Sequence, residues 1–380
     1  MEQKILVSDE NYVELDVYFE ENDVRSILLV CGKSISFLRI NQYFETLEER
    51  KGIKVVRFMD FQPNPIYESV VQGVEIFRGN ACDLIVAVGG GSAIDVAKCI
   101  KLYSNMSPKT NYLEQTIVPN EVKLLAVPTT AGSGSEATRY AVIYYKEEKQ
   151  SVAHESCIPS VVLMDAEVLE TLPGYQKKAT MMDAFCHAVE SFWSVNSTKE
   201  SKEYSREAIR LIIENKDFYL QNDKKGNIKM LRAANLAGKA INITQTTAGH
   251  AMCYKLTGLY GISHGHAAAL CTVVLWRYML EHMEQCIDDR GRDYLQNVFM
   301  EIAKSMGCNT VEAAIEYFHK LISELGLEAP VIKNRDEMDI LKLSVNPVRL
   351  KNNPVKLEEK DIEELYLRIL DTDKWRKQKA

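Results

Sequence analysis

Two residues four apart, Asp183 and His187, stand inside the apolar stretch TMMDAFCHAVESFWSV (180–195). Side chains at i and i+4 share a helix face, so a carboxylate and an imidazole placed there can close on one divalent ion. Met181, Phe185, Ala188, Val189 and Phe192 recur at three-to-four spacing on a neighbouring face, and Glu190 falls beside Asp183 and His187. A plainer reading also fits, with Thr180 and Asp183 as a capping box and His187 as a hydrogen-bonded core histidine. Metal chemistry needs more ligands. The segment TTAGHAMCYKLTGLYGISHGHAAAL (246–270) supplies His250, His264 and His266 next to glycines in apolar surroundings. One carboxylate with three imidazoles suits a divalent first-row metal such as iron or zinc, with a position left for substrate.

A second chemistry is carried by glycine. DLIVAVGGGSAIDVAKCIK (83–101) runs from an apolar strand through Gly89, Gly90, Gly91 and Ser92 into a helix bearing Asp95 and Lys98. Bare backbone lets a ligand approach closely, and the helix N-terminus offers free N–H groups to a phosphate. The pattern is not G-x-G-x-x-G, and it also suits a tight strand-to-helix turn. VPTTAGSGSEATRYAVI (127–143) repeats the logic with Thr129, Thr130 and Ser133. Two such loops after parallel strands share one carboxyl edge, where open α/β sheets bind nucleotides. CGKS (31–34) is no Walker A loop, because Ile27 stands where its first glycine is required.

The elements that must position these groups follow from patterning. SILLVC (26–31), IKVVRF (53–58), DLIVAV (83–88) and KLLAVP (123–128) alternate with amphipathic stretches, which predicts a parallel sheet covered by helices. No proline occurs between Pro173 and Pro330, and helix-period patterns fill that interval. FQPNPIYESV (61–70) and SVNPVRLKNNPVKL (344–357) read as turn-rich connections, the second leading to a last helix, EEKDIEELYLRILD.

A chain of 380 residues with 46% hydrophobic and 26% charged residues is long enough for two domains and is not a disordered composition. Its net charge of -7, without long charged runs, gives nucleic acid and anionic membranes no electrostatic handle, and KWRKQKA at the C-terminus reads as a solvated tail. Nine scattered cysteines without a C-x-x-C pair fit a reducing compartment. The start MEQKILVSDENYVELD lacks a basic segment followed by an apolar core, and the longest apolar run, 267–276, is too short to span a bilayer, so a cytoplasmic location is expected.

In this order and spacing, PNP (63–65), GGGSAIDVAK, PTTAGSGSE, MDAFCHAVES, GHAMCYKL and SHGHA resemble the motifs of the iron-dependent, or group III, alcohol dehydrogenases along nearly the whole chain. The resemblance implies an α/β N-terminal dinucleotide-binding domain with a parallel sheet over 1–175 and an all-α C-terminal domain for metal and substrate over 176–380. This is the dehydroquinate synthase-like arrangement, and a homodimer is implied with it. Matched position by position, the implied metal ligands are Asp183, His187, His250 and His264, with His266 left to a structural role. Gly89, Gly90, Gly91, Ser92 and Asp95 match the pyrophosphate region, Thr129, Thr130 and Ser133 the second cofactor loop, and Lys149 the lysine near the nicotinamide ribose.

Two departures bear on chemistry. Many members carry a second histidine four residues after the first ligand of the GHAM segment, where this chain has Tyr254. A phenol can relay a proton, although its ordinary pKa near 10 makes it a poorer base than histidine, and Tyr254 is expected to line the substrate pocket as a catalytic group. NAD-preferring members commonly place an acidic residue after the first strand. Gly32, Lys33 and Ser34 stand there, which favours NADPH over NADH.

The reaction expected is NAD(P)H-linked reduction of an aldehyde, with Fe(II) or Zn(II) polarising its oxygen. TRYAVIYYKEEKQSVAHESCIP (138–159), SFWSVNSTKESKEYS (191–205) and the segment 237–267 look most like the phosphonoacetaldehyde reductase branch, which forms 2-hydroxyethylphosphonate. An anionic substrate needs cations, and Arg139, His154 and Lys255 lie beside the matched motifs. Three alternatives stay open. They are a general short-chain alcohol dehydrogenase or aldehyde reductase, a dehydroquinate synthase-like lyase, and a nucleotide sensor without catalysis.

Overall fold

The computed structural model describes residues 3–345 and 347–370. The KWRKQKA segment lies outside the described residues. The chain divides into two compact units, Met1–Pro173 with Asp217–Asn235, and Gly174–Lys216 with Leu236–Ala380.

The first unit is built on β1 (Lys4–Val7), β2 (Ser26–Cys31), β3 (Lys54–Phe58), β4 (Leu84–Gly89), β5 (Lys123–Pro128), β6 (Tyr140–Tyr145), β7 (Glu148–Ala153) and β8 (Val161–Met164). Six of them form a sheet in the order β1-β8-β5-β4-β2-β3, every pairing parallel, while β6 and β7 make a separate antiparallel hairpin. Strands covered on both faces must be apolar throughout, and all six residues of β2 are buried. Helices Tyr67–Gly79 and Gly91–Tyr103 supply the crossovers on either side of β4. From β2 the chain moves outward to β3 and then returns past β2 to β4, so the order reverses between β2 and β4. The carboxyl ends of those strands carry Gly32 and Gly89–Ser92. The parallel α/β sheet expected from the alternating runs is present, with β1 and β8 added at one edge.

The second unit is helical, and beyond β8 the described residues contain no strand, only an isolated bridge between Cys286 and Val355. Its central helix, Gly174–Trp193, is buried on all sides from Met181 onward, because helices His264–Glu281 and Arg292–Ser305 pack against it. That helix starts at Gly174, after Pro173, so Thr180 lies inside it and the capping-box reading of Thr180 and Asp183 does not hold. The turn-rich segment 344–357 contains a short helix, Pro347–Leu350, before the last helix, Glu359–Ile369. All nine cysteines are free. Among the described residues no helix is long and apolar enough to cross a membrane.

Candidate metal centre and cofactor loops

Asp183 and His187 project from adjacent turns of the Gly174–Trp193 helix. His250 comes from helix Ala248–Tyr260, which ends at Gly261 in the left-handed region (φ 68°), and His264 begins the next helix. Three imidazole Nε2 atoms surround one carboxylate oxygen. Asp183 Oδ1 lies 4.0 Å from His187, 3.5 Å from His250 and 3.9 Å from His264. Ligand atoms of Asp183, His187 and His250 all fall within 4.8 Å of one another, and those three residues are buried. His264 meets this tighter group through Asp183 and keeps a side chain 36% exposed, the open side of the cluster.

The cluster fits a cation. Asp183 Oδ1 and His250 Nε2 are buried without a hydrogen bond, an arrangement costing on the order of 1–3 kcal/mol per group unless something satisfies them. One carboxylate and three imidazoles match a divalent first-row ion with room for an exogenous ligand. Burial would raise the Asp183 carboxyl, but the facing imidazoles of His187, His264 and His250 outweigh it and hold the group well below the usual carboxylate range.

Glu190, one turn beyond His187 on the same helix, orients His250. Its Oε1 accepts from His250 Nδ1 at 2.6 Å and from Thr272 Oγ1 at 3.2 Å. Its Oε2 accepts from the backbone N–H and the hydroxyl of Thr247, both at 2.7 Å. Burial opposes ionisation of Glu190, yet the charge and hydrogen bond of His250 prevail and bring it to about 2. An ionised carboxylate only accepts, so His250 carries its proton on Nδ1 and turns Nε2 toward Asp183. Burial likewise disfavours the His250 imidazolium, but Glu190 and Asp183 outweigh that and raise it to about 9.

Two glycines permit this convergence. A Cβ on Gly249 would sit 2.5 Å from Glu190 Oε1, and one on Gly265 would sit 2.0 Å from the carbonyl oxygen of Ala179. Neither histidine segment could approach the central helix as closely with any larger residue there.

His266 turns to other partners, with Nε2 3.0 Å from the Glu328 carbonyl and Nδ1 3.0 Å from the Tyr175 hydroxyl. Tyr254 stacks on His264, centroids 5.2 Å apart and planes at 28°. Burial pushes its phenol up to about 12, against the opposing pull of Arg349. Arg349, assigned no role from sequence, has its guanidinium carbon 5.5 Å from the Tyr254 centroid. Lys255 is exposed on the Tyr254 helix.

The cofactor candidates lie in the first unit. Gly90 precedes helix Gly91–Tyr103, whose first turn carries no acidic residue. Thr129 N donates to Gly89 O at 3.0 Å, and Cβ atoms on Gly90 and Gly91 would press on Thr130 Oγ1 and Ser133 Oγ at 3.3 and 3.2 Å. The two loops are therefore in mutual contact, as adjacent strands β4 and β5 require. Asp95 braces them, since Oδ1 accepts from Ser135 Oγ at 2.5 Å and Oδ2 from Val142 N at 3.0 Å. Buried Lys98 donates to Ser135 Oγ, Thr138 Oγ1 and Tyr140 O at 3.0, 3.2 and 2.7 Å. After β2, Gly32 is extended (φ -84°, ψ 171°), and Lys33 and Ser34 are exposed. Lys149 is exposed on β7, paired with Tyr144. Arg139 is engaged by Glu155 and by the Tyr140 ring, and His154 caps a short turn through Ser156 N at 3.2 Å.

Glu190 was visible on the Asp183 face, but no spacing rule pairs it with a histidine sixty positions away. Arg349 lay in a segment that reads as connection, with no motif around it.

Comparison with known proteins addresses the same residues. Residues 2–166 match the model for "Iron-containing alcohol dehydrogenase" and 177–370 that for "Fe-containing alcohol dehydrogenase family, C-terminal". The 1,3-propanediol dehydrogenase of Citrobacter freundii is 31% identical over 369 residues, covering 90% of each chain. The phosphonoacetaldehyde reductase of Streptomyces viridochromogenes is 29% identical over 311 residues, 78% of each. Among solved structures, sulfoacetaldehyde reductase from Bifidobacterium kashiwanohense in complex with NAD+ superposes with a TM-score of 0.86, at 25% identity over 98% of each chain. Matches that run through both the glycine loops and the histidine-bearing helices make this chain a member of the iron-containing alcohol dehydrogenase family, an oxidoreductase acting on CH–OH groups.

Proposed function

We propose that the protein is a metal-dependent, NAD(P)H-linked aldehyde reductase whose substrate is phosphonoacetaldehyde, reduced to 2-hydroxyethylphosphonate. The observation that carries the metal-dependent reading is the convergence of three imidazole nitrogens on Asp183 Oδ1 in a buried pocket. In this reading Asp183, His187, His250 and His264 hold Fe(II), with Zn(II) as the other candidate. The Met1–Pro173 unit binds the dinucleotide through Gly89, Gly90, Gly91, Ser92, Thr129, Thr130 and Ser133, with Asp95 holding the second loop and Lys149 near the nicotinamide ribose.

Bound together, the ion supplies Lewis acidity toward an aldehyde oxygen and the nicotinamide supplies hydride. The chain's own residues do the rest. Glu190 keeps one ring proton of His250 on Nδ1, so that Nε2 is the atom that would face the ion once it gives up its own proton. Tyr254, lying against His264, lines the substrate side and donates its phenolic hydrogen toward the developing oxyanion. No acidic residue follows β2 to repel a 2′-phosphate, and exposed Lys33 can attract one, which favours NADPH.

Likeness to two reductases named for two-carbon aldehydes that end in a tetrahedral oxyanion supports an anionic substrate. A general short-chain alcohol dehydrogenase is the second reading, favoured by the 31% identity to a propanediol dehydrogenase. We further propose a cytoplasmic homodimer; nine free cysteines suit a reducing compartment, and light scattering checks the assembly.

The test is coenzyme oxidation by Fe(II)-loaded and Zn(II)-loaded protein, with NADPH and NADH, on phosphonoacetaldehyde and on butanal. Strong preference for the phosphonate with NADPH is expected. Comparable turnover of butanal would refute the substrate reading.

A further inference from the structure

We infer that Arg349 is the specificity-determining residue of this site, the cation that receives the terminal oxyanion of the aldehyde substrate. The inference rests on the anionic-substrate reading above and assigns it to one side chain. Arg349 belongs to the short helix Pro347–Leu350, ahead of the last helix of the second unit. Its guanidinium lies over Tyr254, and Tyr254 stacks on His264, so the cation and the open side of the histidine cluster share one aromatic neighbour. That is a short span, suited to a two-carbon substrate with a carbonyl at one end and a charged group at the other.

The arginine is also anchored to the machinery behind the cluster. Its Nη1 donates to Thr246 Oγ1, and Asn352, in the same turn, donates to the Thr246 carbonyl at 3.0 Å. The next residue, Thr247, is held by Glu190, which holds His250. The segment bearing the cation and the segment bearing a histidine are thus fixed to one another.

Charge accounting singles Arg349 out. In the same unit Arg206, Arg210, Arg277, Arg290, Arg335 and Arg368 each pair with a carboxylate, and Arg292 is exposed. Arg349 is half-buried, and among the described residues no carboxylate pairs with it. A partly desolvated guanidinium facing a ring, with its remaining N–H groups not claimed by an acid, is a receptor for an anion. Its planar fork matches two oxygens of a phosphonate or sulfonate, whereas an uncharged aldehyde gains nothing from it.

The test compares wild type, Arg349→Met and Arg349→Lys on phosphonoacetaldehyde, sulfoacetaldehyde and butanal. Calorimetry with ethylphosphonate, a ligand without an aldehyde, adds a readout independent of turnover. For Arg349→Met the phosphonate-to-butanal ratio of kcat/KM should fall about 100-fold, mainly through KM, and ethylphosphonate should weaken by a similar factor, about 2.8 kcal/mol at roughly 1.4 kcal/mol per tenfold. Arg349→Lys should restore about tenfold of that ratio, since a point charge replaces a fork. A ratio shift of the same size for sulfoacetaldehyde supports the same assignment, and the anionic aldehyde with the higher wild-type kcat/KM is then the substrate. An unchanged ratio in Arg349→Met, with wild type still preferring an anionic aldehyde, overturns the role of Arg349 and leaves the substrate class standing. A wild type that prefers neither anionic aldehyde over butanal overturns both.

Discussion

Replacing Glu190 by glutamine tests whether a buried carboxylate sets the protonation of the His250 ring. The substitution keeps shape and volume, so packing changes little. Glu190 accepts from five groups, His250 Nδ1, Thr247 N, Thr247 Oγ1, Thr272 Oγ1 and His250 N, at 2.6, 2.7, 2.7, 3.2 and 3.4 Å. An amide cannot reproduce that. With its oxygen toward His250, its NH2 faces the Thr247 N–H, and a buried donor goes unsatisfied at a cost of about 1–3 kcal/mol. With its NH2 toward His250, the ring must accept at Nδ1 and carry its proton on Nε2, the atom 3.5 Å from Asp183. Loss of such an outer partner weakens metal binding about 10- to 100-fold, or ~1.4–2.7 kcal/mol. Chelator competition with Zn(II) and Fe(II) measures this directly, and thermal melts of the metal-free proteins separate it from a general loss of stability. Thr272→Val, which removes the 3.2 Å bond to the same oxygen and a contact with the Cys186 thiol, should weaken binding less. Glu190→Gln binding both ions within about threefold of wild type would refute the reasoning, because by the handedness of the amide one of the two faults is unavoidable.

Three other expectations concern different layers of the structure. Gly265→Ala places a methyl 2.0 Å from the Ala179 carbonyl oxygen, so urea unfolding should show a loss of at least about 1–3 kcal/mol and metal affinity should fall with it. In metal-free protein the His250 pKa is raised to about 9, so its stabilising contribution is complete below the unfolded value near 6.5 and disappears as pH rises through about 9. Metal binding at pH 7 should accordingly release a proton from this ring, the release fading above pH 9, as read by calorimetry in buffers of different ionisation enthalpy. Lys98→Met removes the buried ammonium beside Asp95 and should cost about 3 kcal/mol in urea unfolding, and a loss below about 1 kcal/mol would show that the loop brace does not depend on it.

Much of the framework was legible because it depends on local pattern. The four longer sheet strands announce themselves as apolar runs, and the loops after β4 and β5 as clusters of glycine and hydroxyl residues. β1 and β8 were not read, since four residues carry too little periodicity and their pairing joins positions about 157 apart in sequence. The β6–β7 hairpin was missed for a different reason. Its turn uses Lys146 and Glu147 at φ 51° and 66°, where a sequence signal would have been asparagine or glycine. The capping-box reading of Thr180 failed because a helix beginning after a proline ran through it. Aspartate and histidine at i and i+4 could be noticed on one helix, but the partners of Glu190 and Arg349 are matters of tertiary approach, and no local rule encodes those.

The glycines beside the two histidines have a consequence for how the centre tolerates change. Gly249 brings the His250 segment to a stop against the Glu190 carboxylate and the Thr272 hydroxyl, and Gly265 brings the His264 segment to a stop against the Ala179 main chain and the Asp183 Cβ. Trimming or swapping apolar interior residues elsewhere can soften the fold while the donors keep their spacing, because main chain at Gly265 and hydrogen-bonded polar groups at Gly249 define that spacing. At these two positions drift runs one way only, since any added atom forces the donors apart. A change of ion in this chain would therefore have to arise by exchanging donor atoms or their outer partners, with the gap between helices left as it is.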